Sequence, residues 1–331
     1  MAGRRQKKSG GRSYAWRYRG RIVACVFVEM IIICALVIMI GWNKGVKEWF
    51  EQFEQPVLKE VDISGINSPN AILMQARGGK ILGEINGEAQ IYPASMTKIM
   101  TVILGIENFD DLDEKITLTN EMFSGLYEQD ATQAGFQPGE EVRVIDLLYG
   151  AMLPSGAECC IALADTISGS ETDFAELMNK KARKLGMENT HFCDSTGLHN
   201  PDHYSTVKDI AVLMKYCIKN DTFREIVETS RHSTGVINIH PDGITYYSTM
   251  FKNLSDPTVT GGKILGGKTG YTSEAGHCLV SFAEIEGREY IFVSAGASGA
   301  DGNTIPHIQD AVTVYNRVGA AIEAKMNNNN K

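Results

Sequence analysis

The chain lacks the short strings that mark several common chemistries. No Gly-x-Ser-x-Gly elbow occurs in its 331 residues, which removes the signal for an α/β-hydrolase triad. No His-Glu-x-x-His occurs either. The pair at i, i+4 spacing, His199 and His203, has Pro201 between its members, so a surface turn is expected there rather than a metal-binding helix. Ser230-Arg-His232 begins another zinc pattern, but Ile239 stands where that pattern needs an aspartate. The sequence therefore calls for neither a metal nor a cofactor. Seven cysteines are too few for a disulfide scaffold at this length, and none of them forms a Cys-x-x-Cys. Cys25 and Cys34 fall in an apolar run. Cys159, Cys160, Cys193, Cys217 and Cys278 form an odd set expected to be mostly buried free thiols, with one bridge through Cys193 left open. There is no internal repeat.

Acidic residues are also missing from the beginning of the chain. Eight Lys and Arg residues, from Arg4 to Arg21, precede the first carboxylate, Glu29. Residues 1–50 hold ten basic against two acidic residues, and the remainder holds 22 against 38. So acidic a remainder argues against nucleic acid as a partner. From Ile22 to Trp42 the chain is apolar except for Glu29, long enough at 1.5 Å per residue to cross a bilayer core of about 30 Å. The positive-inside rule then predicts a single-pass cell-membrane protein, its N-terminus cytoplasmic and everything after Trp42 outside. No small-x-small cleavage site follows the run, which favours an uncleaved anchor over a signal peptide. The expected organisation is a basic cytoplasmic tail (1–21), a transmembrane anchor in the lipid bilayer (22–42) and a stalk (43–67). One catalytic domain (68–322) and a disordered Asn-rich tail (323–331) follow.

Three triplets in fixed order carry the chemistry: Ser95-Met96-Thr97-Lys98, Pro154-Ser155-Gly156 and Lys268-Thr269-Gly270. Ser95 opens an apolar run, Met96 to Ile106, that reads as a buried helix, and Lys98 is one turn further on the same face. A serine at a helix N-terminus gains from the dipole when it becomes anionic, and a desolvated lysine loses basicity until it can act as a base near neutrality. Such a pair suits serine acyl transfer without histidine. Ser205-Thr-Val-Lys208 has the same spacing, but Thr206 and Asp209 mark it as an ordinary helix start. Ser155 falls between two helical segments, 142–153 and 159–167, where its hydroxyl can face a cleft. Lys268 lies among glycines that let a ligand backbone approach, just before the strands 277–283 and 290–295. Residues 71–76 and 80–85 read as a first β-hairpin around Arg77-Gly78-Gly79.

This set resembles the penicillin-binding protein and serine β-lactamase superfamily, and within it the low-molecular-mass serine D-alanyl-D-alanine carboxypeptidases. The likeness extends to Leu148-Tyr-Gly-Ala-Met-Leu-Pro-Ser-Gly156, Thr190-His191-Phe192, Thr196-Gly197-Leu198, His203-Tyr204-Ser205-Thr206 and the run Gly267 to Gly276, and spans about Ser68 to Ala320. It implies an α/β (α+β) fold, an antiparallel sheet flanked by helices with a helical subdomain that contains Ser155. It further implies that Ser95 attacks the terminal D-Ala-D-Ala bond of a peptidoglycan stem peptide, with Lys98 as base and Ser155 as proton relay. Lys268 and Thr269 would hold the terminal carboxylate, and Gly270 and Tyr271 would continue the substrate-binding strand. The N–H groups of Ser95 and Tyr271 would form the oxyanion hole, and β-lactams would acylate Ser95.

Two departures stand out. Ala157 replaces the asparagine of the family's Ser-x-Asn, and Thr304-Ile-Pro-His307 stands where many relatives carry an arginine. The first opens an alternative, a catalytically weakened penicillin-binding or sensing protein. A β-lactamase is the other, but no Glu-x-x-Leu-Asn lies between Ser155 and Lys268.

Overall fold

The computed structural model describes residues 58–254, 256–299 and 305–329, with Met30 alone before them. The expected basic tail and membrane anchor fall outside the described residues, among which no helix is long and apolar enough to cross a membrane. The chain divides near Pro56, and the architecture below is that of its second unit.

Strands β1 (Asn70–Gln75) and β2 (Ile81–Ile85) form the expected hairpin, turned by Gly78 and Gly79 at φ +85° and +71°. A 3-10 turn, Ala94–Thr97, runs into α1 (Lys98–Asn108), whose first eight residues are all buried. The short pair β3 (Lys115–Thr117) and β4 (Glu141–Arg143) leads to α2 (Val144–Met152) and α3 (Ala157–Ser168). Helix α4 (Glu171–Leu185) is N-capped by Ser170, which accepts from the Asp173 N–H, and ends at Gly186 with φ +78°. Thr206 and Asn220 cap α5 (Val207–Cys217) and α6 (Asp221–Glu228) in the same way. The pair β5 (Arg231–Ser233) and β6 (Thr245–Tyr247) precedes the short α7 (Thr249–Asn253). The chain then makes β7 (Thr258–Val259), β8 (Gly262–Thr272), β9 (Gly276–Ile285), β10 (Arg288–Ala297) and α8 (Pro306–Asn329).

The main sheet has the order β2-β1-β10-β9-β8-β7 and every pairing in it is antiparallel. Alternation along its central strands divides the apolar side chains between two cores. Ile72, Met74, Val280, Phe282, Ile291 and Val293 face α1 and the helices around it. Leu73, Ala283, Ile285 and Phe292 face Val314, Tyr315 and Val318 of α8. The architecture is therefore a three-layer α/β/α arrangement with the helical cluster α2–α4 beside α1, in keeping with the expected fold class.

Two expected boundaries move. Residues 58–67 do not form a stalk: Leu58, Val61 and Ile63 are buried in the α8-side core, and the Val61 N–H donates to the Leu82 carbonyl at 2.7 Å. Their apolar spacing is that of a chain laid along a sheet edge. At the other end α8 continues to Asn329, through residues expected to be disordered. An established helix propagates at the cost of intrinsic propensity alone, and asparagine's is modest. The five described cysteines are all free, with only Cys193 partly exposed.

Candidate active site

The turn that delivers Ser95 is strained. Ala94 has φ +46°, a left-handed value that costs an alanine roughly 1–2 kcal/mol. Gly197, at φ +81°, braces it, since a Cβ there would lie 1.9 Å from the Ala94 carbonyl oxygen. Ser95 and Lys98 then project from one face, and Lys98 Nζ lies 3.0 Å from Ser95 Oγ and 2.7 Å from the Thr196 carbonyl. Lys98 is 3% exposed. Burial lowers its pKa, and the neighbouring Asp194 and Glu158 charges partly oppose that shift.

Ser155 reaches the same oxygen from the other side. It sits between α2 and α3 at φ +74°, again left-handed, and its hydroxyl donates to Ser95 Oγ at 3.0 Å. The strain is held by the Gly156 N–H to Gly150 carbonyl bond and by the Ala157 N–H to Thr132 carbonyl bond, each 2.8 Å. Ala157, the first residue of α3, is buried and brings no polar group.

Strand β8 forms the third wall. Lys268 is 1% exposed and donates to the Thr269 carbonyl at 2.9 Å, its pKa held well below the ordinary lysine value by burial and by the Lys98 charge. Thr269 Oγ1 is 2.7 Å from Thr249 Oγ1, at the start of α7. Beyond the short contact of β7 with Gly262 and Lys263, no described strand pairs with the outer edge of β8. That edge lines a cavity of about 590 Å3 together with Ser95, Ser155 and the loop residues Gln129, Asp130 and Thr132. An extended peptide can add to such an edge as a further strand. Gly262 to Thr269 also fits the Gly-x4-Gly-Lys-Thr pattern of a phosphate loop. Here the segment is an extended strand leading into a hairpin, not a loop before a helix.

All seven sequence-predicted residues thus meet at one place. Ser95, Ser155, Thr269, Gly270 and Tyr271 line the cavity, and Lys98 and Lys268 stand behind them. Several supporting residues were not anticipated. His203, expected in a surface turn, is buried, with Nε2 2.9 Å from Thr97 Oγ1 and Nδ1 3.1 Å from Asp194 Oδ2. Burial acts to raise the Asp194 pKa, but His203 and the Thr196 and Gly197 donors hold it down at about 2. Glu158 accepts from the Ala134 and Gly135 N–H groups and so ties the 129–132 wall to α3. The sequence signals for His203 were its i, i+4 spacing from His199 and the string His203-Tyr204-Ser205-Thr206, and neither points to this role. Ser68, which begins a Ser-Pro-Asn before the nucleophile, lies outside the site and donates its hydroxyl to Asp310 at 2.6 Å.

With this geometry in hand, comparison with known proteins is informative. A family model described as D-alanyl-D-alanine carboxypeptidase, peptidase family S11, matches residues 57–299. The chain belongs to this family. Among curated relatives, D-alanyl-D-alanine carboxypeptidase DacF of Bacillus subtilis is 35% identical over 231 residues, covering 69% of this chain and 57% of that protein. The D-alanyl-D-alanine carboxypeptidase of Streptomyces sp. strain K15 is 33% identical over 236 residues, covering 69% and 78%. The crystal structure of the Streptomyces K15 DD-transpeptidase superposes with a TM-score of 0.70 at 28% identity, covering 79% of this chain and all of that one. The chain spans somewhat over half the length of the first curated relatives it matches. The S11 match begins at residue 57, next to the buried Leu58, which agrees with residues 58–67 belonging to the packed domain.

Proposed function

We propose that this chain is a membrane-anchored serine D,D-carboxypeptidase that removes the terminal D-alanine from peptidoglycan stem peptides. The observation that carries the reading is the convergence of Lys98 Nζ and Ser155 Oγ on Ser95 Oγ, each at 3.0 Å, beside an unpaired strand edge. Membership of the S11 family supports it.

In this reading the peptide lies along β8 with its last carboxylate at Thr269, the Lys268 charge buried behind it. Lys98, made less basic by burial, takes the Ser95 proton as Oγ attacks the carbonyl carbon of the D-Ala-D-Ala bond. The N–H groups of Ser95 and Tyr271 receive the oxyanion. The C–N bond then breaks, and the proton reaches the departing amine through the Ser155 hydroxyl. Water hydrolyses the acyl-enzyme, regenerating Ser95 and releasing a stem peptide one residue shorter. β-Lactams stop at the acyl stage because their leaving group stays attached. Residues 22–42 anchor the protein in the cell membrane, with 1–21 cytoplasmic and the site outside.

The test is D-alanine release from diacetyl-Lys-D-Ala-D-Ala by the full-length chain, with Ser95→Ala as control, beside labelling by a fluorescent penicillin. Release that disappears in Ser95→Ala supports the reading. Ala157 favours a second one: without a carboxamide at the head of α3, the protein acylates but scarcely turns over. Labelling without D-alanine release would select that alternative, and rapid loss of the label with hydrolysed penicillin would indicate a β-lactamase.

A further inference from the structure

The cavity beside Ser95 has no lysine or arginine among its described lining residues. The Lys268 ammonium, the nearest cation on β8, is turned into the protein against the Thr269 carbonyl. A peptide that ends in a carboxylate nevertheless has to place that charge against donors here. The side chains of Thr269 and Tyr271 share one face of β8, and His277, paired with Tyr271 across the hairpin, shares it too. Their rings form a file: Tyr271 to His277 at 4.7 Å, then His277 to His307 at 5.0 Å, the two imidazoles stacked within 10° of parallel. Both histidines line the cavity.

His307 is the telling member. It is 4% exposed, yet its Nδ1 has no hydrogen-bond partner among the described residues. A ring kept only for packing carries no advantage from a buried polar atom left unmatched. The carboxylate one turn further on, Asp310, does not answer it, since its oxygens accept from the Asn67 and Ser68 backbone and side chains. His307 also lies in the first turn of α8, a turn with no acidic residue, so the helix dipole favours an anion at that end.

We propose that the stacked pair His277–His307 is a specificity element that receives the terminal carboxylate of the substrate, completing with Thr269 an anion site that contains no arginine. This rests on the D,D-carboxypeptidase reading. His277, the partly exposed ring, supplies one N–H donor, and His307, whose Nδ1 is closed to solvent in the free protein, supplies a second when its ring turns toward the carboxylate.

The experiment compares acylation of the full-length chain by benzylpenicillin and by its methyl ester, in which the carboxylate is masked, alongside KM and kcat for the D-Ala-D-Ala peptide. In His307→Ala and in His277→Ala, acylation by the free acid falls about ten- to hundredfold, as expected for loss of a hydrogen bond to a charged group, while acylation by the ester is unchanged. The peptide loss appears mainly in KM. If His307→Ala does not fold, the partly exposed His277→Ala carries the same expectation. Equal slowing of acid and ester, or no change in either, overturns the proposal and leaves the D,D-carboxypeptidase reading intact. A wild-type chain that neither labels nor releases D-alanine removes both.

Discussion

A side chain at residue 270 would begin 3.0 Å from the backbone nitrogen of Ser95, so Gly270 is the contact through which β8 sets the position of the serine turn. The same Cβ would stand 3.2 Å from the Ala94 side chain and 3.3 Å from the Pro93 carbonyl. Strand and turn cannot separate without pulling the Ser95 and Tyr271 N–H groups apart. Gly270→Ala is therefore expected to lower penicillin acylation about ten- to hundredfold, the scale of a disturbed oxyanion donor. Thermal unfolding should come at a lower temperature as well, because the added methyl presses on the Ser95 nitrogen, the Ala94 side chain and the Pro93 carbonyl at 3.0–3.3 Å. Unchanged acylation would mean that these two N–H groups do not act together.

Ser155 separates strain from chemistry. Its φ of +74° is one a glycine adopts freely, while its hydroxyl is one of the two groups bonded to Ser95 Oγ. Ser155→Gly is expected to stabilise the fold by about 0.5–1 kcal/mol, a rise of roughly 2–4 °C in Tm, and to abolish D-alanine release. Tm and turnover measured on one preparation test both halves. A variant that loses stability would show that the Ser155 hydroxyl contributes more to the fold than its backbone strain costs.

The main elements were legible because their signals are local. Buried runs at 96–106 and 277–283, the hairpin glycines at 78–79 and the caps at Thr206 and Asp209 all act within a few residues of themselves. The site triplets were legible for the same reason. What escaped depends on contacts across the chain: His203 reads as part of a Pro-containing turn until it meets Thr97, 106 residues away. Residues 58–67 read as a spacer until Leu58, Val61 and Ile63 meet α8. A one-dimensional pattern cannot tell an apolar segment that lies on a sheet edge from one that leads to a membrane.

The charge balance around Lys98 can be shifted without touching the reacting groups. Burial lowers its pKa, and Glu158 is among the groups pulling it back up. Glu158→Gln keeps an oxygen for the Ala134 and Gly135 N–H groups but removes the negative charge. The Lys98 pKa should then fall further, so the acid limb of the acylation pH profile moves to lower pH. If Lys98 is the base, no shift toward higher pH is possible from this change. Stopped-flow acylation between pH 5 and 9 decides the matter.

His307 also makes the stability of the fold depend on pH, whatever the site does. Burial, with the nearby His277 charge, pushes its pKa down to about 4, whereas an unfolded chain titrates its histidines near 6.5. Between those values the unfolded chain binds a proton that the folded chain does not. Its contribution is therefore fully present above about pH 6.5 and is lost as pH falls toward 4. The difference amounts to about 2–3 kcal/mol by pH 4.5. Carboxylates such as Asp194 titrate in the same direction at lower pH, so a single unfolding curve does not isolate the histidine. Comparing wild type with His307→Gln does: between pH 7 and 4.5 the wild type should lose about 2–3 kcal/mol more than the variant in urea unfolding. Parallel losses would mean that His307 titrates alike in the folded and unfolded chain, so that its burial carries no proton-linked cost.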